Sequence, residues 1–296
     1  MNFSDNLLLI DVLLMYTGSI NRKQLMELTG MSIATATRTF KTYRERYPDN
    51  INYEVGNKRY EKSSTFNPGF DFNVESALAL IAYGRKIEPS RYSNTIGLDQ
   101  KHNCGHQLSK EISSILTRAI YSSSRLLIHY LSSNSDNEIR EIVPTAIFES
   151  RNRWYVRVCV LEDNSYKNFK INRVNKVITS KSIGNISIPE DVKWKAPVIL
   201  TLGPHPKHGF SKGLKRDLGL DKKPLFNLQT TDALAGFLLS EWAVDCSEDS
   251  SLDPYYFQYQ LLNLYDLKDV SSMVISPGYA IKRKVDIQLE TIDEEN

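Results

Sequence analysis

The chain has 296 residues, of which 41% are hydrophobic and 24% are charged, and its formal net charge is +2. This composition excludes a disordered chain and a membrane-embedded one, and the length favours two or three domains. The apolar run of residues 7–15 is interrupted by Asp11 and lacks a basic leader, so we expect a helix of the folded protein there. Three widely spaced cysteines indicate no disulfide framework and predict a cytoplasmic protein.

The first 47 residues predict three helices. Apolar residues repeat at helical spacing over residues 7–14, and Gly18 ends that segment. A second helix is predicted from a cap at Asn21 to Gly30, and a third from a cap at Ser32 to Tyr47. Two helices joined by a short glycine turn are typical of a helix-turn-helix.

A hairpin is predicted directly after these helices. Residues 51–55 and 58–61 alternate in polarity around Gly56-Asn57, which favours two strands joined by a two-residue turn. Helices and hairpin together predict a winged helix-turn-helix, whose partner is double-stranded DNA. The basic density of residues 38–46 supports that interpretation, although a solvated amphipathic helix would also explain the basic run taken alone.

The third helix and the wing carry the candidate DNA-binding residues. A recognition helix needs short polar and basic side chains on its outer face, for base edges and for phosphates. A wing tip needs cations that reach flanking phosphates or the minor groove. The predicted DNA-binding residues are Ser32, Thr35, Thr37, Arg38, Lys41, Arg44, Lys58 and Arg59.

The rest of the chain changes from helical to strand periodicity. After a linker over residues 63–72, helices are predicted at 74–87 and 108–121, as a spacer. Strands are predicted at 126–131, 139–148, 154–161 and 166–174, which together favour a small β-barrel. Beyond residue 196 the pattern is mixed, with strands near 198–202 and 273–275 and helices near 232–244 and 256–264.

Four short segments in the strand region carry a family resemblance: 128–132 (IHYLS), 140–144 (REIVP), 153–156 (RWYV) and 169–174 (FKINRV). Their order resembles the WYL domain, with Trp154-Tyr155-Val156 in place of the family's Trp-Tyr-Leu. The whole chain is similar to WYL-domain transcriptional regulators, most of all to the phage-defence (BREX-type) repressors. The resemblance implies an α+β protein: an N-terminal winged helix, a helical spacer, a WYL barrel of Sm-like fold and a mixed C-terminal extension for dimerisation.

The resemblance also implies a basic pocket that senses a nucleotide or a single-stranded nucleic acid. Cations donate charge-assisted hydrogen bonds to phosphate, and tyrosines offer rings or hydroxyls. For Trp154 a core role is the favoured alternative, and Arg140 and Arg173 can instead form ion pairs. The candidate ligand-binding residues are Tyr130, Ser132, Arg140, Arg153, Tyr155, Lys170 and Arg173.

No residue pattern predicts catalysis, a cofactor or a metal. The groups 102–106 (HNCGH) and 205–208 (HPKH) contain too few ligands for a zinc site. No nucleophile elbow, phosphate loop or dinucleotide fingerprint occurs, and a nucleic-acid-processing enzyme or a ligand-binding module stays as the alternative.

The predicted domains are therefore a winged helix over residues 1–64, a helical linker over 65–122, a WYL domain over 123–190 and a C-terminal extension over 191–296. We expect a homodimeric DNA-binding regulator without a membrane partner, because a twofold protein matches a pseudo-palindromic operator. We expect this regulator to repress transcription, and the sequence also allows activation.

Overall fold

A computed structural model describes residues 3–84, 108–132, 138–182, 184, 187–208, 212–220 and 225–280 of the chain. The molecule divides into two compact units, Met1–Pro189 and Glu190–Asn296, each with its own hydrophobic core. Helices and mostly antiparallel sheets occur in both, which confirms the α+β class. None of the helices in the described ranges is long and apolar enough to cross a bilayer.

The first unit begins with a winged helix-turn-helix, as predicted. Asn21 caps α2 through a capping box with Gln24, and Gly30 ends it in the left-handed conformation at φ 72°. Ser32 caps α3 by accepting the Thr35 N–H. The elements of this head are α1 (Phe3–Thr17), β1 (Ser19–Ile20), α2 (Arg22–Thr29), α3 (Ile33–Arg46), β2 (Ile51–Glu54) and β3 (Arg59–Lys62).

The wing is a three-stranded sheet in the order β1-β3-β2. The predicted two-residue turn at Gly56-Asn57 is wrong, because Glu54 pairs with Arg59 and leaves a four-residue loop between the strands. The Glu54 carboxylate accepts the backbone N–H groups of Gly56 and Asn57 and so holds that longer loop. Lys58, at φ 52°, is the loop residue in the left-handed region.

Two spacer helices, α4 (Val74–Tyr83) and α5 (Lys110–Tyr121), follow the head. The helix predicted at 74–87 ends four residues early, at Tyr83, because Gly84 caps α4 in the left-handed conformation at φ 65°. The polar stretch before residue 108 lies outside the described residues. Both helices share a single hydrophobic core with α1, α3 and the strands that follow. Head, spacer and barrel therefore pack as one unit, although the sequence predicts them as separate domains.

Five antiparallel strands form the barrel region in the order β7-β6-β5-β4-β8. They are β4 (Ser124–Tyr130), β5 (Glu138–Ser150), β6 (Arg153–Val160), β7 (Ser165–Lys170) and β8 (Val174–Ser182). The single strand predicted at 166–174 is wrong, because a 3-10 turn, Ile171–Arg173, separates β7 from β8.

The sheet has to curl for that short turn to join its two outer strands. A flat sheet would hold them about 19 Å apart, at about 4.8 Å per strand interval. The chain from Lys170 to Val174 spans at most about 14 Å. Curling is visible at Tyr130 of β4, whose hydroxyl accepts the Lys170 N–H at 3.2 Å and whose ring stacks on Phe169 at 4.2 Å.

The second unit is built on a four-stranded sheet in the order β10-β9-β12-β11. The strand predicted at 198–202 is confirmed. The helix predicted at 256–264 is wrong because β12 fills the gap between β9 and β11, and the strand predicted at 273–275 is a 3-10 turn, Ser271–Ile275. The elements are α6 (Val192–Lys195), β9 (Pro197–Pro204), α7 (Lys212–Asp217), β10 (Phe226–Thr231), α8 (Ala235–Glu241), β11 (Val244–Asp245) and β12 (Tyr259–Leu261).

Candidate nucleic-acid interface and anion site

Four of the predicted DNA-binding residues lie on the outward side of α3: Thr37, Arg38, Lys41 and Arg44. We call these four residues the basic face. At about 100° per residue around the helix axis, they span an arc of about 120°. The opposite side buries Ala36, Phe40 and Tyr43 in the core. The Lys41 ammonium lies 3.8 Å from the Glu45 carboxylate, and both side chains are exposed. Such a surface ion pair is weak, so Lys41 stays available to another anion. All four residues of the basic face are exposed.

Three hydroxyls at the start of α3 already have partners within the helix. Ser32 Oγ and Thr35 Oγ1 lie 3.0 Å apart, and Ser32 Oγ also accepts the Thr35 N–H. Thr37 Oγ1 donates to the Ile33 carbonyl at 2.9 Å. Their capping role competes with base contacts, so the cations are the stronger candidates for DNA contacts.

A buried carboxylate fixes α3 against α1. The Tyr43 hydroxyl donates to Asp11 Oδ1, and the Phe70 N–H donates to Asp11 Oδ2 at 3.0 Å. Burial raises the pKa of Asp11 above its ordinary range, and these hydrogen bonds oppose that rise. Asn50 Nδ2 also donates to the Tyr43 oxygen at 3.3 Å. The basic face is thus presented by a helix with a fixed orientation.

The wing places its two predicted contacts differently. Lys58 is exposed in the loop between β2 and β3, where its side chain is available to a phosphate. Arg59 is the first residue of β3 and is half-buried, and its Nε is buried without a hydrogen-bond partner among the described residues. Lys58 is therefore the freer of the two for DNA contact.

Five of the predicted ligand-binding residues come together where β6, β7 and the following turn meet; we call them the barrel cluster: Tyr130, Arg153, Tyr155, Lys170 and Arg173. Tyr155 and Lys170 are register partners on β6 and β7, so their side chains share one face with Arg153. Arg173 lies in the turn beside the Tyr130 hydroxyl, where its positive charge opposes the rise that burial causes in the pKa of Tyr130. Because the Tyr130 ring is buried against Phe169, this residue offers its hydroxyl rather than a stacking surface.

The barrel cluster carries an excess of positive charge. Burial lowers the pKa of Lys170, and the positive charges of Arg173 and Arg153 lower it further. Burial raises the pKa of Tyr155, while Arg153, Arg151 and Arg173 oppose the rise. In the described ranges, no carboxylate lies within salt-bridge distance of Arg153, Lys170 or Arg173. Such a group of cations is suited to binding an anion.

Two other predicted ligand-binding residues lie in different surroundings. Arg140 is held by two acids, Glu138 at 3.0 Å and Glu162, so its charge is already compensated. Ser132 lies beyond β4, which stops at Tyr130, so strand geometry does not place its side chain on the face that carries Tyr130.

Trp154 is a core residue, as the alternative interpretation held, since it is only 3% exposed and its ring lies 5.9 Å from that of Tyr83. Arg151, whose charge acts on Tyr155, was missed by the sequence reasoning. It stands at φ 52° in the turn between β5 and β6, and the only signal for it was a basic residue at a turn.

The histidines of the second unit have protein partners. His205 Nε2 donates to Asp245 Oδ2 at 3.0 Å and its Nδ1 accepts the Lys207 N–H, while His208 Nε2 donates to the Pro254 carbonyl at 2.9 Å. The Ser247 hydroxyl donates to Asp245 and not to the histidine. Because Asp245 and His205 are fully buried, this Ser-Asp-His group ties β9 to β11 and has no access to substrate. The motif at 102–106 lies outside the described residues.

Comparison with known families matches both halves of the first unit. Residues 2–81 match the BrxR transcriptional regulator winged helix-turn-helix domain, and residues 111–178 match the WYL domain. The chain therefore contains a BrxR-type winged helix-turn-helix domain followed by a WYL domain.

Relatives of this chain include the DNA-binding transcriptional repressor CapW of Pseudomonas aeruginosa, 24% identical over 67% of this chain and 68% of the relative. CapW of Escherichia coli and of its strain KTE188 are each 22% identical with the same coverage. The proteasome accessory factor PafBC of Arthrobacter aurescens aligns with 98% of this chain and 49% of its own, at 14% identity and a TM-score of 0.25. This chain thus spans about half the length of that structure.

Proposed function

We propose that this WYL regulator is a homodimeric, cytoplasmic transcriptional repressor of its own or a neighbouring phage-defence operon. Its two heads bind a pseudo-palindromic operator, and a nucleotide or a single-stranded nucleic acid at the barrel cluster changes its affinity for DNA. The observation that carries the proposal is the basic face of α3, an exposed row of cations on a capped and anchored helix.

The basic face suits the major groove in size and charge. Arg38 can form a bidentate pair with guanine, and Lys41 and Arg44 extend along the helix towards phosphates. Lys58 adds a contact from the wing. One head supplies few contacts, so a second copy with a half-site about one helical turn away is needed for tight binding.

The barrel cluster supports an anionic effector. Arg153, Lys170 and Arg173 offer donors to phosphate oxygens, and the Tyr155 ring, stacked on Phe148 at 5.1 Å, extends an aromatic surface for a base. Because head, spacer and barrel share one core, we infer that the effector changes the geometry of the dimer and does not loosen the head from the barrel.

The test is footprinting and sedimentation of the full-length protein on the DNA upstream of its own gene. We expect one protected, pseudo-palindromic site, bound by two copies, and loss of the footprint with Arg38→Ala. The matched control is Lys23→Ala, which removes an exposed cation from α2. A single bound copy would overturn the homodimer, and cleavage of labelled nucleic acid with divalent metal would favour an enzyme.

A further inference from the structure

Ile33 is the first residue of α3, and 62% of its side chain is exposed. The other large apolar residues of α3, Phe40 and Tyr43, are buried, and Ile33 takes no part in the core cluster of the first unit. Single exposed apolar residues are common on protein surfaces, so exposure alone decides nothing.

The position of Ile33 on the helix distinguishes it. Ile33 lies about 40° from Thr37 and about 20° from Arg44 around the helix axis, so it continues the basic face at its N-terminal end. The N-terminal residues of a recognition helix are those that contact base edges. An isoleucine there has no hydrogen bond to offer, and the apolar group that a base pair presents in the major groove is the C5-methyl of thymine.

We propose that Ile33 contacts a thymine methyl group and thereby determines sequence specificity within each half-site. This inference rests on the proposed function, since it assumes that α3 enters the major groove. Ala34, also exposed, is too short to extend as far, and the Thr37 hydroxyl is bonded to the Ile33 carbonyl. Ile33 is therefore the residue of the first turn with the largest apolar surface for this contact.

The experiment replaces single thymines of the footprinted operator by deoxyuridine, which removes the methyl group and keeps every hydrogen-bonding atom. We expect one position in each half-site where this replacement weakens wild-type binding about three- to fivefold, the effect of about one buried methyl group. Ile33→Ala should bind the thymine operator at least roughly three- to fivefold more weakly than wild type. Its affinity should not change further when deoxyuridine replaces thymine at that position. Ile33→Val should keep most of the discrimination.

Two controls separate this contact from general effects. Val55→Ala removes a 75% exposed apolar side chain from the wing and should leave the deoxyuridine effect unchanged. Alanine favours a helix, so Ile33→Ala is expected to fold with an unchanged melting temperature.

The outcomes distinguish the two proposals. If wild type binds the operator, Arg38→Ala abolishes binding, and no deoxyuridine substitution has an effect, Ile33 does not read thymine and the proposed function stands. The same holds if Ile33→Ala remains as sensitive to deoxyuridine as wild type. If wild type binds all DNA sequences equally, the proposed function fails and the thymine contact fails with it.

Discussion

The basic face of α3 and the barrel cluster are both rich in cations, but they differ in burial and in the spacing of their charges. The residues of the basic face are exposed along one side of a helix, whereas Lys170 and Arg173 are half-buried beside two tyrosines. A long exposed row matches the spaced phosphates of a duplex, and a compact group matches one or two phosphates of a small ligand. The two groups of cations therefore suit different partners, because burial decides how strongly each cation attracts an anion.

Counted for a single binding site, the largest expected effect is on anion binding at the barrel cluster. Arg173→Ala removes a half-buried charged donor, so affinity for a 5′-phosphorylated dinucleotide should fall by about 1.5–3 kcal/mol, roughly 10- to 150-fold. Isothermal titration calorimetry measures this loss, with the exposed β8 residue Lys176→Ala as the control.

Arg173 is half-buried beside the Tyr130 hydroxyl, so its loss can disturb the barrel. Arg153 is exposed, so Arg153→Ala should leave the barrel folded. This variant should also bind the dinucleotide more weakly than wild type. Unchanged affinity in both variants would show that the cluster does not hold the anion.

On the basic face, Arg38→Ala and Lys41→Ala should change DNA binding in different ways. Arg38→Ala is expected to cost about 1–3 kcal/mol in each half-site and to relax specificity at one base pair there, because a bidentate base contact is lost from each head. Lys41→Ala should weaken all sequences alike and reduce the salt slope by about two, one for each copy in the dimer. Fluorescence anisotropy over a salt series and a set of single-base operator variants separates the two. Equal loss on every sequence for Arg38→Ala would assign it to the phosphate backbone.

The pH dependence of anion binding should reflect the burial of Lys170. Because its pKa is lowered by burial and by Arg173 and Arg153, Lys170 loses its charge earlier than an ordinary lysine as the pH rises. A bound anion raises that pKa again, so binding takes up a proton at alkaline pH and weakens about tenfold once Lys170 is neutral in the free protein. Lys170→Arg should extend tight binding to higher pH. A pH profile identical in both proteins would contradict this role.

The smallest effect is expected in the wing. Lys58 is a non-glycine residue at φ 52°, so Lys58→Gly should stabilise the head by up to about 1 kcal/mol while removing one phosphate contact. Urea unfolding should thus show a more stable head, while anisotropy should show about two- to fivefold weaker DNA binding. Lys58→Asn, which tolerates the same conformation, serves as the control for backbone strain.

Local signals predicted the head well, because its helix ends are determined by nearby residues. The caps at Asn21 and Ser32 and the glycine at Gly30 stand where the sequence placed them. The wing turn was wrong because the Glu54 side chain binds two backbone N–H groups of the loop, which periodicity does not report. In the second unit, β12 was taken for a helix because its pairing with β9 and β11 overrides its local pattern.

The candidate ligand site came from a resemblance between motifs, and its charge balance could not be predicted. Arg140 and Arg173 look equivalent in the sequence, yet the fold brings Glu162 against Arg140 from 22 positions away. Arg173 has no such acid in the described part of the chain. Pairing between distant residues decides which arginine keeps an uncompensated charge, and only the folded chain shows it.

The most direct test of the account is anisotropy of full-length wild type, Arg38→Ala and Arg173→Ala on the operator, each with and without the 5′-phosphorylated dinucleotide. Two separate sites predict that Arg38→Ala loses the DNA but still binds the dinucleotide by calorimetry. Arg173→Ala should bind DNA like wild type and no longer respond to the dinucleotide. If Arg173→Ala lost operator binding in the absence of any ligand, while folding normally, the barrel cluster would be part of the DNA interface and the account would be contradicted.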